Sequence, residues 1–324
     1  MARSGLRVGM FGKVPSHPDF VRFNAGGILA RAFDQWIAEG LVELRQRAGA
    51  DWETIFDDAR PLAFVFRQGN SREALVGWCG PGRDSGGRRY PVTLFAEVTL
   101  DRGGNMFAHL GTAFSGFLAA TAVQGQKARL EGIDDAGSAR IPLMANLLPQ
   151  KPVEVEREFD EYLSDVTMGS FWREVLGDFG DRRKYLVIKN IFAALAPLRG
   201  LEPGRIRVIL RLPVAGGHPA AARQIGIWIL VARAILGTRG LSEATAFWDH
   251  EPDAGGGYGH LIFQPLRPFH WVPLVARDLA VDTLWDTVRT GAERLDTVHE
   301  EIGPEVSRAL ESPDLLMREF IARI

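Results

Sequence analysis

The sequence predicts an α/β fold: one mixed sheet built from both ends of the chain, with helices on both faces. Three observations carry this. Short apolar runs bounded by turn residues cluster in the first hundred residues. Helical periodicity then takes over, and short apolar runs return after residue 205. The late strands need an interior partner, and the economical solution is to join them to the early ones in a single sheet. No period of 20–50 residues repeats, which excludes solenoids and propellers. We therefore expect a single α/β domain over residues 1–324, with a helical excursion around 101–200 and a helical C-terminal tail. Any boundary would fall in residues 132–152, where Asp134, Asp135, Gly137, Pro142, Pro149 and Pro152 read as a linker.

The elements follow in order. Val8–Phe11 is the first strand. Ile28–Arg47 is an amphipathic helix, with Ile28, Ala32, Trp36, Leu41 and Leu44 at helical spacing. Asp51–Phe56 reads as a short helix capped by Asp51. Leu62–Arg67 and Glu73–Cys79 are strands joined by a turn at Gln68–Ser71, and Tyr90–Leu100 is a third. The glycine-rich stretch 80–87 between the last two is a loop. Asn105–Gln126 is helical, and helical periodicity resumes at Val153–Leu163, Ser170–Leu176 and Arg182–Leu195. After Pro203-Gly204 come a strand at Arg205–Leu212 and a buried helix at Ala220–Leu236. Strands at Thr245–Trp248 and His260–Gln264 flank a turn over Ala254–Gly259, and Ala280–Glu301 reads as a surface helix.

Composition narrows the function. The chain has 46% hydrophobic and 24% charged residues, the balance of a globular protein. Its formal net charge is −2, which gives no reason to expect nucleic acid or an anionic membrane as partner. The longest apolar run, Ile225–Leu236, is interrupted by Arg233 and is far short of the ~20 residues a bilayer span needs. No apolar core of a signal peptide follows Arg3 and Arg7. The one cysteine, Cys79, lies in an apolar strand and reads as a core residue rather than a nucleophile. A cytoplasmic protein is the expectation.

The most informative stretch is Gly9-Met10-Phe11-Gly12-Lys13-Val14-Pro15-Ser16-His17-Pro18-Asp19-Phe20. An apolar strand breaks into charged and polar residues held between two prolines, which stiffen the loop. It is not a phosphate loop: two residues, not four, separate Gly9 from Gly12, and Val14 stands where a hydroxyl would bind magnesium. A second block, Asp84-Ser85-Gly86-Gly87-Arg88-Arg89-Tyr90-Pro91-Val92-Thr93-Leu94, carries two adjacent guanidinium forks suited to carboxylate or phosphate. Strand alternation sends neighbours to opposite faces, so Arg88 and Arg89 should do different work, one of them bracing Asp19 or Asp84. The two loops should then lie side by side at one end of the sheet.

Together these blocks resemble the TagF family of type VI secretion-associated proteins. Its members open with a strand and Gly-Lys-hydrophobe-Pro-Ser, then Asp-Phe, then a helix carrying a Trp, here Phe33-Asp34-Gln35-Trp36-Ile37. They also carry Asp-x-x-Gly-Arg-Arg-aromatic-Pro-hydrophobe-Thr. The resemblance is clear over about residues 6–100 and weaker up to Phe269, through Phe171-Trp172, Arg207–Pro213, Phe247-Trp248 and Leu261–Pro265. It implies a cytoplasmic post-translational repressor of the type VI secretion system, with a forkhead-associated-domain component of that system as partner. On that reading the binding candidates are Lys13, Ser16, Asp19, Phe20, Asp84, Arg88 and Arg89.

Other chemistry was weighed. Ser16, His17 and Asp19 could suggest a hydrolase triad, but three residues of one turn do not align for proton relay. Ser16 reads as a cap and Asp19 as an acceptor of backbone donors. Asp249, His250, Glu251, Asp253 and His260 match no metal-ligand spacing, so no metal and no cofactor is assigned. Trp36, Trp78, Trp172, Trp228 and Trp285 sit at core positions. Phe269-His270-Trp271-Val272-Pro273 follows two prolines and reads either as a loop packed on the sheet edge or as an exposed aromatic loop, the latter adding Phe269 and Trp271 as interface candidates. The residues favour a binding protein over an enzyme. The alternative is a small-molecule or nucleotide-binding enzyme using the Lys13–Asp19 and Arg88–Arg89 loops.

Overall fold

The computed structural model describes residues 7–324 apart from 69–71, 100–105, 150–151, 203–204, 216, 218, 238–243, 251–255, 264, 280, 290–294 and 296. The N-terminal part contains β1 (Arg7–Gly12), β2 (Val21–Phe23), α1 (Ile28–Ala48), α2 (Trp52–Asp57), β3 (Leu62–Arg67), β4 (Glu73–Gly80) and β5 (Val92–Thr99). Six helices follow: α3 (Met106–Ala113), α4 (Ser115–Glu131), α5 (Asp135–Leu143), α6 (Pro152–Asp165), α7 (Met168–Leu176) and α8 (Arg183–Leu195). The C-terminal part contains β6 (Ile209–Val214), α9 (Ala220–Leu236), β7 (Thr245–Asp249), β8 (Gly257–Ile262), α10 (Val272–Val275), β9 (Leu284–Asp286), α11 (Pro304–Leu310) and α12 (Met317–Arg323).

Among the described residues nine strands form one mixed sheet, in the order β2-β1-β5-β4-β3-β7-β8-β6-β9. All pairs are antiparallel except β6–β9. The two ends of the chain meet at β3–β7, where Phe64 faces Phe247 and Ala63 faces Trp248. The predicted mixed sheet from both ends is therefore what forms.

Alternation along the strands sorts side chains to two cores. Phe64, Phe66 and Phe247 face α1, where Phe33 lies 4.6 Å from Phe64 and 4.8 Å from Phe66 between ring centroids. Ala63, Val65, Val76, Trp78 and Trp248 face the other way, onto the helices of the middle and end of the chain. There α9 seats Trp228 5.1 Å from Phe171 and 5.8 Å from Trp172, its Nε1 donating to Pro213 O at 2.9 Å. Both faces are covered, so these strands read as continuous apolar runs and were legible as such.

Several expectations need correction. Residues 132–149 are not a linker: Asp134 accepts from Gly137 N at 2.6 Å and starts α5, which buries Ile133, Ile141, Met144 and Leu148. The helix over 105–126 breaks at Phe114 and restarts as α4. Asp51 makes no side-chain cap to α2. The strand at 205–212 is shifted to Ile209–Val214, with Pro213 beyond the stretch that β9 pairs, where a missing N–H is tolerated. Among the described residues of 280–301 no α-helix forms. The segment instead adds β9 to the open edge of β6, whose backbone groups need partners, and Trp285 on it is 43% exposed rather than core. The turn at 69–71 and the Pro203-Gly204 pair lie outside the described residues.

Candidate functional site

The antiparallel register brings a set of loops to one end of the sheet. Gly12 closes β1 there, Val92 opens β5, Gly80 pairs with Val92, and Leu62 pairs with both Cys79 and Asp249. The same end continues through Gly257 paired with Val214. Both signature loops leave the sheet at this end, side by side as the sequence predicts. Gly12 allows the approach: its φ is +136°, and a Cβ there would run into the Pro91 carbonyl.

Asp84 is the hub of the two loops. Its side chain is buried, and Oδ2 accepts from Lys13 Nζ at 2.9 Å and from Arg88 Nε at 2.7 Å. Oδ1 accepts from the backbone of Gly86 at 3.0 Å and of Arg88 at 2.9 Å. The Lys13 ammonium and these further donors hold the carboxyl well below its usual range, against the opposing effect of burial. Arg88 also donates Nη2 to Pro18 O at 2.5 Å, and Ser85 N donates to His17 O at 3.0 Å. The loops are thus tied by an ion pair, a guanidinium bridge and a backbone bond.

Arg89 works elsewhere, although both arginines lie in the loop before β5 and owe this to the loop's path rather than to strand alternation. It forks onto Asp57 at 3.0 and 2.8 Å and reaches Glu53 at 2.9 Å, pinning α2 to the sheet. Tyr90 donates its hydroxyl to the Asp34 backbone carbonyl at 2.8 Å and to Asp34 Oδ1. Burial and the Asp34 carboxylate push that phenol up from its ordinary value. Phe20 packs edge-on against Tyr90 at 5.0 Å and stacks on Phe11, under the Arg22 guanidinium.

The predicted bond from Asp19 to Arg88 or Arg89 is not made. Asp19 is exposed and accepts from Phe20 N at 2.8 Å, because Asp84 and Asp57 lie closer to the two guanidiniums. Ser16 is a bracket between distant segments: Oγ accepts from Ile133 N at 2.9 Å and donates to Ile133 O at 3.2 Å. Ser16 also lies 2.9 Å from His17 Nδ1, but the Asp19 carboxylate is turned to its own loop backbone.

For Phe269, half-buried, and Trp271, buried, the packed reading holds and the exposed one does not. Their segment is a short 3-10 turn from Pro268 to Trp271, packed on α1. Trp271 is 2% exposed and meets the face of α1 that Gly40 leaves open, edge-on to Trp36. The Trp36 indole donates to Arg267 O at 2.8 Å. The two prolines set up a core contact here, not an exposed loop.

Of the residues weighed for a metal, Glu251 and Asp253 lie outside the described ones. Asp249 and His260 face arginines. Asp249 Oδ2 takes Arg277 Nη2 at 2.5 Å and Tyr258 N at 2.8 Å. His260 Nε2 accepts from Arg211 Nε at 3.1 Å, and burial beside Arg211 and Arg277 lowers its pKa. Cys79 is buried, and its thiol is pushed up to about 12 by desolvation.

At the same end of the sheet lies a cleft of about 440 Å³ whose walls include Arg60, Glu174, Arg183, Gly257, Tyr258 and Arg277. Sequence reasoning missed it. Its residues come from seven separate segments, and none sits in a motif.

The two loops lie in one continuous stretch of sequence, and a family match covers that stretch. Residues 9–132 match the TagF N-terminal domain, described as type VI secretion system-associated. The resemblance read from the two loops is thereby borne out, and its end at Gly132 coincides with the turn on which Ser16 docks. Over residues 9–132 the chain is thus similar to the N-terminal domain of a family associated with the type VI secretion system. No curated protein matches the chain. A solved structure, PA0076 from Pseudomonas aeruginosa PAO1, is 16% identical, with a TM-score of 0.47, over 85% of this chain and 96% of that one. Among the described residues, no helix is long and apolar enough to cross a membrane.

Proposed function

We propose that this chain is a non-enzymatic, cytoplasmic repressor of the type VI secretion system that acts after translation by binding a protein partner. The partner implied by the TagF resemblance is the system's forkhead-associated-domain component. The observation that carries the reading is the TagF N-terminal match over residues 9–132, which takes in both loops. The geometry agrees with a docking role. Lys13, Arg88 and Arg89 pair with carboxylates of the same chain. Their effect is to hold the corner in one shape, with His17, Asp19 and the outer part of Arg88 exposed. A surface held in one conformation before contact loses less freedom on binding.

The test uses exposed residues rather than the braces. Wild type and a His17→Glu, Asp19→Arg double variant are overexpressed in a host with an active type VI system. Wild type should suppress substrate secretion and co-purify with the forkhead-associated-domain component. The variant should do both less well at equal abundance and equal Tm, since reversing rim charges disfavours a matched partner. Secretion unchanged by wild type overturns the repressor reading. A double variant as potent as wild type removes this corner as the contact surface.

A further inference from the structure

We propose that the cleft walled by Arg60, Arg183 and Arg277 binds a small polyanion, a metabolite-sized molecule bearing two or more carboxylate or phosphate groups. The inference goes beyond the secretion reading and does not depend on it. Arg183 and Arg277 lie outside the TagF N-terminal match.

The size is right. The cleft holds about 440 Å³, within the range of roughly 300–1,000 Å³ typical of small-molecule sites. The donors are right as well. Among the described residues its wall carries three guanidiniums and one carboxylate, Glu174, which is held by Gln224 Nε2 at 3.1 Å; Asp181 and Asp249 behind the wall offset the remaining charge, so the cleft offers oriented N–H donors rather than excess charge.

The guanidiniums of Arg183 and Arg277 are oriented from behind rather than consumed. Asp181 takes Nε and Nη2 of Arg183, one edge of the fork. The buried Asp249 takes Nη2 of Arg277. A guanidinium has five N–H donors in a fixed plane, so each retains donors for a second partner. Arg60 donates to Gly256 O at 3.2 Å and lies 3.8 Å from the same Asp249. One buried carboxylate thus orients two of the three cations. The Tyr258 ring beside them has Arg277 over it at 5.2 Å and the buried Arg211 at 5.6 Å. Forks fixed in this way favour oxyanions, and more than one fork favours more than one anionic group.

The experiment is calorimetric titration of the full chain with citrate and with pyrophosphate, at ionic strength matched with chloride. Inorganic phosphate serves as the single-group control. At least one of the two polyanions should bind saturably and more tightly than inorganic phosphate. Citrate alone would assign carboxylates, and pyrophosphate alone would assign phosphates. Arg183→Gln should weaken that binding by about tenfold, the scale of a lost charge-assisted bond. Glu174→Gln should tighten it by about threefold by removing the opposing charge, a gain that a misfolded variant cannot imitate. Arg157→Gln on the exposed face of α6 should leave it unchanged. Absence of saturable binding by both polyanions overturns the proposal, as does equal binding by wild type and Arg183→Gln. Neither result bears on secretion control.

Discussion

Lys13 and Asp84 form a 2.9 Å ion pair across 71 residues of sequence, with the Asp84 side chain fully buried. This pair joins the two loops that carry the TagF signature. Asp84 also takes three further donors, so its carboxylate form is built into the native corner.

Asp84→Asn should lower the urea midpoint at pH 7, and by more than Arg88→Ala, because the Arg88 side chain supplies only one of the four donors to Asp84. The pH dependence gives a sharper check. The folded-state pKa is depressed, so the stabilisation is fully present above the unfolded value of about 3.9 and is lost as pH falls below it. The gap between wild type and Asp84→Asn should therefore close as pH falls below about 4. A gap of constant size would mean that the charge of Asp84 is not what the corner uses.

Gly132 and Ser16 form the other tie. Gly132 has φ +91° and would drive a Cβ into Ser16. Gly132→Ala should destabilise by more than about 1 kcal/mol, since both conformation and space are wrong for a side chain. Ser16→Ala removes the bracket on Ile133 and should cost about 1 kcal/mol. In the double variant the two losses should fall short of their sum, because each breaks the same contact. Additive losses in chemical denaturation would show that the loop and the α4 terminus are uncoupled.

His270 makes stability fall with acid. It is buried, its Nδ1 accepts from Arg267 N at 2.9 Å, and its pKa is lowered to about 4, by burial first and then by the Arg267 charge. Between about pH 6.5 and 4 the unfolded chain binds this proton and the folded chain does not, so stability rises with pH across that window. The contribution reaches at most about 3 kcal/mol. His260, lowered in the same direction, adds to it. His270→Asn keeps an acceptor for the Arg267 N–H without titrating, and should flatten the pH 4–6.5 limb of a urea-midpoint profile. An unchanged slope would show that His270 is protonated in the fold.

What the sequence determined by itself are the features that depend on local pattern. β3, β4 and β5 are buried on both faces, so their apolar runs needed no partner to be recognised. The helix bounds of α9, Ala220–Leu236, came from periodicity alone. The two loops were recognisable as one family signature because each is a contiguous stretch of residue types, and their adjacency followed from both leaving strands of one sheet.

Only the tertiary structure decided which groups meet. Asp19 stood nearest to hand as a partner for the arginines, yet Arg88 took Asp84 and Arg89 took Asp57. Charge pairing is set by distance in the folded molecule, and any of several carboxylates fits the same sequence. Residues 280–301 had a helical pattern, but the unpaired edge of β6 drew 284–286 into the sheet, since backbone donors and acceptors at an edge outweigh a weak local preference. Trp271 sat between prolines in a stretch that reads either as packed or as exposed, and became core because Gly40, 231 residues before it, leaves room on α1. The arginine cleft was invisible for the same reason: Arg60, Arg183 and Arg277 share no motif, and only the order of strands in the sheet brings their segments to one end of the molecule.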